Sequence, residues 1–393
     1  MNILICNVGS TSLKYQLFAM EDGERVIAAG GAERVGAAKS LFYRTEEGKK
    51  VQEECVFPTH REAIQKMLSC LPAEETVDCV GFKVVHAKGV TGVQELNDGV
   101  LAAMEAFNSV APAHNPPYLA AIRQFRALMP GVPLIGSFET AFHANMPPEA
   151  SLYSIPWELT ERHAIHRYGF HGASHEYMTT WAAEKTGRSD LKLISCHLGG
   201  SGSLTAVDSG RSIDTTMGLS LQCGVMQNNR IADIDPYIIF YLVEECGMTL
   251  EEVKVMLQTK SGLLGMSGVS NDLRDVEEAA AAGNERAANA VRAYTYGIKK
   301  YIGSYAAALG GLDVITFGGG IGRNSATVRE QALAGLGIFG VELDPEKNRN
   351  AKGGDDISRG GSRVRIFVVD TNEEIVVARK AAKLLRAGGA CHE

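Results

Sequence analysis

One arrangement of short segments occurs twice in this chain, and it limits the fold more than any other feature. Residues 2 to 7 form an apolar run and Val8-Gly9-Ser10-Thr11-Ser12 reads as a turn. Residues 13 to 20 then alternate as a second strand with Lys14 and Gln16 on one face, and a third strand is expected near residues 25 to 29. The pattern returns at Leu191, with an apolar strand to Cys196, the glycine-serine turn His197-Leu198-Gly199-Gly200-Ser201-Gly202, a strand over 203 to 207 and another over 211 to 214. With helical segments after each copy, the repeat predicts an α/β chain of two similar domains facing each other across a cleft. Two unrelated hairpins with Gly-Ser turns are the competing reading.

A chain of 393 residues has room for about two to three domains, so a duplicated core is affordable in length. Between the repeats, Thr59 is placed to cap a helix carrying Ile64, Met67 and Leu68. Residues 117 to 129 have helical spacing, and Ser174 is placed to cap a helix with Tyr177, Met178, Trp181 and Ala182 along one face. Thr249-Leu250-Glu251-Glu252 has capping-box spacing, and residues 272 to 309 read as a long helical region broken near Gly283 and Asn284. Residues 346 to 362 read as surface loop, 363 to 369 as a strand and 372 to 387 as the last helix. The formal charge of −7 argues against a general nucleic-acid binder, and the chain opens on a strand pattern rather than a signal peptide. Eight cysteines (Cys6, Cys55, Cys70, Cys79, Cys196, Cys223, Cys246, Cys391) without CxxC pairs predict reduced thiols in a cytoplasmic protein.

The stretch Val314-Ile315-Thr316-Phe317-Gly318-Gly319-Gly320-Ile321-Gly322-Arg323-Asn324-Ser325 is a strand, a loop almost without side chains, and a helix start with Asn324 or Ser325 as cap. Such a loop suits a nucleotide or a phosphate, because glycine lets the backbone approach a ligand and turn its N–H groups inward. It is neither GxGxxG nor a P-loop, and a plain tight strand-to-helix turn is the alternative. Four histidines between Arg162 and His175 match no zinc spacing, and the arginines among them oppose a cation. His171, between Gly169 and Gly172, is expected to project from a tight loop at a helix N-terminus, either for function or as a satisfied structural histidine. Lys83, His86, His114, Glu139, Arg230 and Asp233 recur at strand ends. Singly they read as salt bridges or caps; together they outline a cationic cleft of the kind phosphoryl transfer requires.

Read in order, several motifs resemble one family. They are Asn7 to Lys14, Ala111-Pro112-Ala113-His114-Asn115-Pro116-Pro117, Phe138 to His143, Tyr168 to His175, His197-Leu198-Gly199, Asp214-Thr215-Thr216-Met217-Gly218, Arg230 to Pro236, Ser261-Gly262-Leu263-Leu264-Gly265, Gly319-Gly320-Ile321-Gly322 and Asn372-Glu373-Glu374. Collinear from end to end, they are similar to those of the acetate/propionate kinases. The resemblance implies an α/β fold of two duplicated ribonuclease-H-like (actin-like ATPase) domains flanking a nucleotide cleft. Residues 1–145, joined by a C-terminal helix over 375–393, would form the first domain, and 146–374 the nucleotide-binding domain. It further implies reversible transfer of the ATP γ-phosphoryl group to acetate or propionate, in a cytoplasmic homodimer without nucleic-acid or membrane partners.

By the same resemblance, Asn7 and Glu373 hold Mg²⁺ (or Mn²⁺), while Lys14, His197, Leu198, Gly199, Gly200, Ser201, Asp272, Leu273, Arg274, Gly319, Gly320, Ile321, Gly322 and Arg323 line the ATP/ADP site. Glu139, His171 and Arg230 are implied as catalytic, and Lys83 and His114 as substrate-binding. The chain departs from the family at several of these positions. Lys83 stands where the family has arginine, and Glu139 where it has aspartate. The turn Gly200-Ser201-Gly202 replaces Asn-Gly-Ala, Ser220 to Gly224 replaces Thr-Pro-Leu-Glu-Gly, Ile231-Ala232 replaces Ser-Gly, and Arg323 replaces a common glutamate. Two readings therefore stand beside the leading one: the same fold with another acceptor or with pyrophosphate as donor, and a catalytically silent nucleotide-binding homologue.

Overall fold

The computed structural model describes residues 1–46, 48–112 and 114–389; Ala113 and Cys391, named above, lie outside them. Two compact units form, Met1–Ala144 with Asn372–Glu393, and Asn145–Thr371. The divisions thus fall after 144 and 371 rather than after 145 and 374, which assigns Glu373 to the first unit.

In the first unit, β1 (Asn2–Gly9), β2 (Ser12–Ala19) and β3 (Arg25–Glu33) form an antiparallel triplet. The hairpin β4 (Ser40–Glu46) and β5 (Lys49–Cys55) extends it on one side. On the other side β6 (Cys79–Val84) runs parallel to β1 and β8 (Leu134–Phe138) parallel to β6, with the short β7 (Val93–Glu95) at the edge. β1 buries Ile3, Leu4, Ile5 and Cys6 in one unbroken run, the signature of a strand covered on both faces. Helices Asn115–Leu128 and Glu373–Gly389 pack on this part of the sheet.

The second unit repeats the plan. β9 (Lys192–Leu198), β10 (Gly202–Asp208) and β11 (Arg211–Thr215) are antiparallel, β12 (Val314–Gly318) is parallel to β9, and β13 (Arg365–Val368) is parallel to β12. The order 11-10-9-12-13 reproduces the 3-2-1-6-8 of the first sheet, so the sequence repeat is a repeat of topology. Alternation along β9 divides its faces. Ile194, Cys196 and Leu198 enter a core with Tyr294, Ile298 and Ile302 of helix Glu285–Ala308. Ser195 and His197 point the other way, toward helix Gly172–Thr186.

The Thr59 and Thr249 capping boxes form, and Gly283 and Asn284 separate helix Leu273–Ala281 from Glu285–Ala308. Three readings need correction. Helix Gly172–Thr186 begins after His171 in the left-handed region (φ 57°), with no side-chain cap; Ser174 lies inside the first turn and bonds His197 instead. The glycine stretch is itself a helical turn, Gly319–Asn324, after which Ser325 caps helix Ala326–Leu333 by accepting from the Val328 N–H. Part of the expected loop at 346–362 is helix Pro345–Asn350, started by Asp344 accepting from the Glu346 and Lys347 N–H groups.

Candidate active site

In the second unit, β9 and β12 run parallel with Gly318 opposite His197, so both strands deliver their following turns to the same edge. The two turns come very close. A Cβ on Gly319, at φ +74°, would lie 2.5 Å from the Leu198 carbonyl oxygen, so only glycine fits there. Beside them is a cleft of about 470 Å³ lined by Gly199, Gly200, Asp272, Leu273, Arg274, Gly320 and Ile321. Seven of the residues singled out in the sequence thus meet in one place. Asn228, Glu277, Asn324 and Ser325 complete the lining. None of these four was anticipated there, because each reads locally as a cap or a surface polar residue.

Two expected members of this group, Leu198 and Arg323, sit differently. The Leu198 side chain belongs to the core, so only its backbone reaches the turn. Arg323 pairs with Asp370. Asp272 caps its helix, and the Arg274 guanidinium bonded to it lowers its carboxyl to about 2, keeping it ionised. Burial raises Glu277, whose carboxylate accepts from Ser325 Oγ at 3.0 Å. Ser201 Oγ and Asn228 Oδ1 are buried with no hydrogen-bond partner among the described residues, which is the condition of groups awaiting a ligand or water.

A brace behind the glycine turn was not legible in the sequence. Arg329 is 1% exposed, and its guanidinium donates to the carbonyls of Gly322 and Arg323 (both 2.8 Å) and to Asn348 Oδ1 and O (2.7 and 2.8 Å). Burial lowers it to about 10, so it stays cationic at neutral pH. Its position in mid-helix resembles that of any solvent-facing arginine.

His171 stacks on His197 with ring centroids 4.3 Å apart, and its Nδ1 lies 2.8 Å from Ser203 Oγ. The left-handed backbone at His171 carries the ring onto the sheet, a strained conformation of the kind that collects at functional sites. Arg230 lies in the irregular segment after β11, anchored by the Ser261 N–H on the Asn229 carbonyl and the Ile231 N–H on the Leu257 carbonyl. Burial lowers its guanidinium to about 10. Its one hydrogen bond among the described residues is a long one, 3.4 Å, to the Leu221 carbonyl, and no carboxylate there pairs with it. A half-buried cation left without an anion is costly by itself and favourable beside an anionic ligand.

In the first unit, Lys83 at the end of β6 meets two carboxylates. Its Nζ donates to Glu373 Oε2 and lies 3.0 Å from Glu139 Oε1. Burial works to lower Lys83, but Glu139 and Glu373 outweigh it and hold the ammonium well above its ordinary value. Glu139 and Lys83, which the sequence reading placed at separate strand ends, thus form one cluster with Glu373. Asn7 lies opposite the exposed Lys14 in the β1–β2 register, and its Oδ1 accepts from the Tyr118 hydroxyl at 2.9 Å. His114 stands before helix Asn115–Leu128 without a side-chain cap bond.

The acetokinase family model matches residues 2–379. The acetate kinase of Natranaerobius thermophilus is 44% identical over 397 residues, covering 98% of this chain and 100% of that protein. For the acetate kinase of Methanosarcina thermophila the identity is 40%, over 98% of this chain and 97% of that one. Among solved structures, acetate kinase from Porphyromonas gingivalis superposes with a TM-score of 0.88 at 36% identity, covering 98% and 99% of the two chains. A propionate kinase from Francisella tularensis subsp. tularensis gives 0.88 at 33%, over 96% and 98%. The duplicated topology, the glycine-lined cleft and these full-length likenesses lead to one assignment: the chain belongs to the acetokinase family of phosphotransferases.

Proposed function

We propose that the chain transfers the γ-phosphoryl group of ATP reversibly to acetate or propionate, giving an acyl phosphate and ADP. Arg230 carries the proposal: a half-buried guanidinium with no carboxylate partner among the described residues is suited to a phosphoryl group in flight. The acceptor is ionised at pH 7, so no base has to remove a proton. Its carboxylate oxygen forms a bond to the γ-phosphorus while the β,γ-bridging P–O bond breaks and its electron pair leaves on ADP. His171 and Arg230 donate to the oxygens of the transferring group, and Lys83, positioned by Glu139 and Glu373, pairs with the acceptor carboxylate. The cleft at Gly199, Gly320 and Asp272 holds the nucleotide through backbone groups, and Asn228 and Ser201 supply polar atoms.

Mg²⁺ or Mn²⁺ fits the donors of the first unit. Asn7 Oδ1 and the Glu373 carboxylate are the hard oxygen ligands such ions take, and no group of three or more metal-ligating side chains occurs among the described residues. A cation held by those two donors would be completed by phosphates and water. When bound it supplies neutralisation of phosphate charge. We also propose a homodimer. Helix Tyr237–Glu244 buries none of its residues, and Tyr237 (75% exposed), Tyr241 (63%) and Phe240 (52%) form an apolar face that an isolated chain would not keep in water.

The test is a coupled assay of ADP release with ATP and Mg²⁺ and with acetate, propionate, butyrate or no acceptor, repeated with pyrophosphate as donor and phosphate release as readout. Turnover that requires both ATP and a short carboxylate is expected. Turnover with pyrophosphate alone, or none with any pair, would replace the proposal with one of its two rivals.

A further inference from the structure

Behind His171 lies a row of hydroxyl and imidazole groups joined by hydrogen bonds whose directions are coupled. Ser195 Oγ on β9 is 2.8 Å from His175 Nδ1, His175 Nε2 is 2.8 Å from Ser203 Oγ on β10, and Ser203 Oγ is 2.8 Å from His171 Nδ1. Ser195, His175 and Ser203 are each 0% exposed. The row follows from local structure. β9 and β10 turn Ser195 and Ser203 to the face that helix Gly172–Thr186 covers, and the first turn of that helix brings His175 down between them.

Each hydroxyl has one proton to give, so the direction of one bond sets the next. Ser195 can donate to His175 Nδ1 at 2.8 Å or to Met178 Sδ at 3.8 Å. Either Ser195 donates to the ring, or a proton on His175 Nδ1 goes to Ser195 and the Ser195 proton goes to Met178 Sδ, a long and weak acceptor. In the first sense His175 carries its proton on Nε2 and donates to Ser203, and Ser203 donates to His171 Nδ1; in the second every one of these bonds is reversed. Were His175 cationic, its Nε2–H would donate to Ser203, and the last bond would have the direction of the first sense. With Ser195 donating to a neutral His175, or with a cationic His175, His171 Nδ1 is an acceptor, which leaves the proton of the neutral ring on Nε2.

We propose that Ser203 and His175, backed by Ser195, are positioning residues that hold His171 as the Nε2–H tautomer, ready to donate to the transferring phosphoryl group. The inference rests on the reading of His171 as a phosphoryl donor. It assigns a functional purpose to three buried polar side chains that otherwise read as ordinary satisfied core groups.

The test uses the full chain labelled with ¹⁵N-histidine. Long-range ¹H–¹⁵N spectra at neutral pH report which ring nitrogen bears the proton, and His171→Asn assigns the signal. The wild type is expected to show His171 protonated on Nε2 and bare on Nδ1. Ser203→Ala should move both shifts toward tautomer averaging and lower kcat by about ten- to a hundredfold, the range usual for partners behind a functional histidine, with KM for ATP and acceptor changed by less than about twofold. Ser195→Ala, which touches neither His171 nor any ligand, should move the same signals and kcat in the same direction by a smaller amount. A wild-type His171 protonated on Nδ1, or a normal kcat in Ser203→Ala beside a collapsed one in His171→Asn, would overturn the relay. A normal kcat in His171→Asn would instead remove the reading of His171 itself, and the relay's purpose with it.

Discussion

Removing the Lys83 ammonium tests the first-unit cluster most directly. In Lys83→Met a side chain of similar length remains, but Glu139 (side chain 6% exposed) and Glu373 (16%) face each other without their cation. Breaking a buried pair by deleting one partner costs about 3–5 kcal/mol, and here two carboxylates lose the same partner, so the upper part of that range is expected. Glu139→Gln is milder, because Lys83 keeps Glu373; we expect about 1–3 kcal/mol. The double variant should be less destabilised than the sum of the two by at least about 1 kcal/mol, since contacting groups are where additivity fails. Urea unfolding of the four proteins at pH 7, followed by circular dichroism, measures the cycle. The pH dependence has a definite sign. Lys83 is raised on folding, so its contribution is fully present below its unfolded value, about 10.5, and is lost only as pH rises through the higher folded value. The gap between wild type and Lys83→Met should therefore be level from pH 7 to 9. Additivity within about 0.5 kcal/mol, or a gap that closes below pH 9, would show that the three side chains are not coupled as described.

Four further outcomes are expected. Arg230→Ala should lower kcat by about two to three orders of magnitude while nucleotide affinity, read by calorimetry, changes little; equal loss of both would make Arg230 a ground-state ligand. Gly319→Ala forces a Cβ against the Leu198 carbonyl at positive φ, so thermal unfolding should show a loss of about 1–3 kcal/mol and ATP binding should weaken with it. Arg329→Met strips donors from the carbonyls of Gly322 and Arg323 and should cost about 2–4 kcal/mol in urea unfolding, with KM for ATP rising more than KM for the acceptor. Tyr241→Asp, on the exposed apolar helix, should shift the species seen by sedimentation toward monomer; an unchanged dimer would move the proposed interface elsewhere.

The duplicated strand triplets were legible because each buries an apolar run ended by a glycine-serine turn, and that signal is local. The parallel partners β6, β8, β12 and β13 were less so, since a short apolar run does not declare which strand it joins. Helix Tyr237–Glu244 escaped for the opposite reason: an apolar run with nothing buried offers no periodicity to read. Ser174 was mistaken for a cap because the residue type and spacing were right. The left-handed His171 starts that helix instead, a conformation uncommon for any residue but glycine, though histidine is among the types enriched there.

The site was legible as a list of residues but not as a set of distances, and the difference matters most at Lys83 and Glu139. In the sequence they are two independent departures from the family, a lost guanidinium fork and an added methylene, and Lys83 alone reads as a weakened acceptor site. In the structure the longer carboxylate reaches the shorter cation at 3.0 Å, and Glu373 takes the other side of the ammonium. The two departures that the resemblance implies thus meet in one ion pair, which has charge and contact without the planar two-point grip. An arginine returned at position 83 alone would have to fit its larger fork between carboxylates placed for a point charge. Recovery of acceptor affinity should accordingly need Glu139→Asp together with Lys83→Arg, with either change alone leaving KM for acetate no better than wild type.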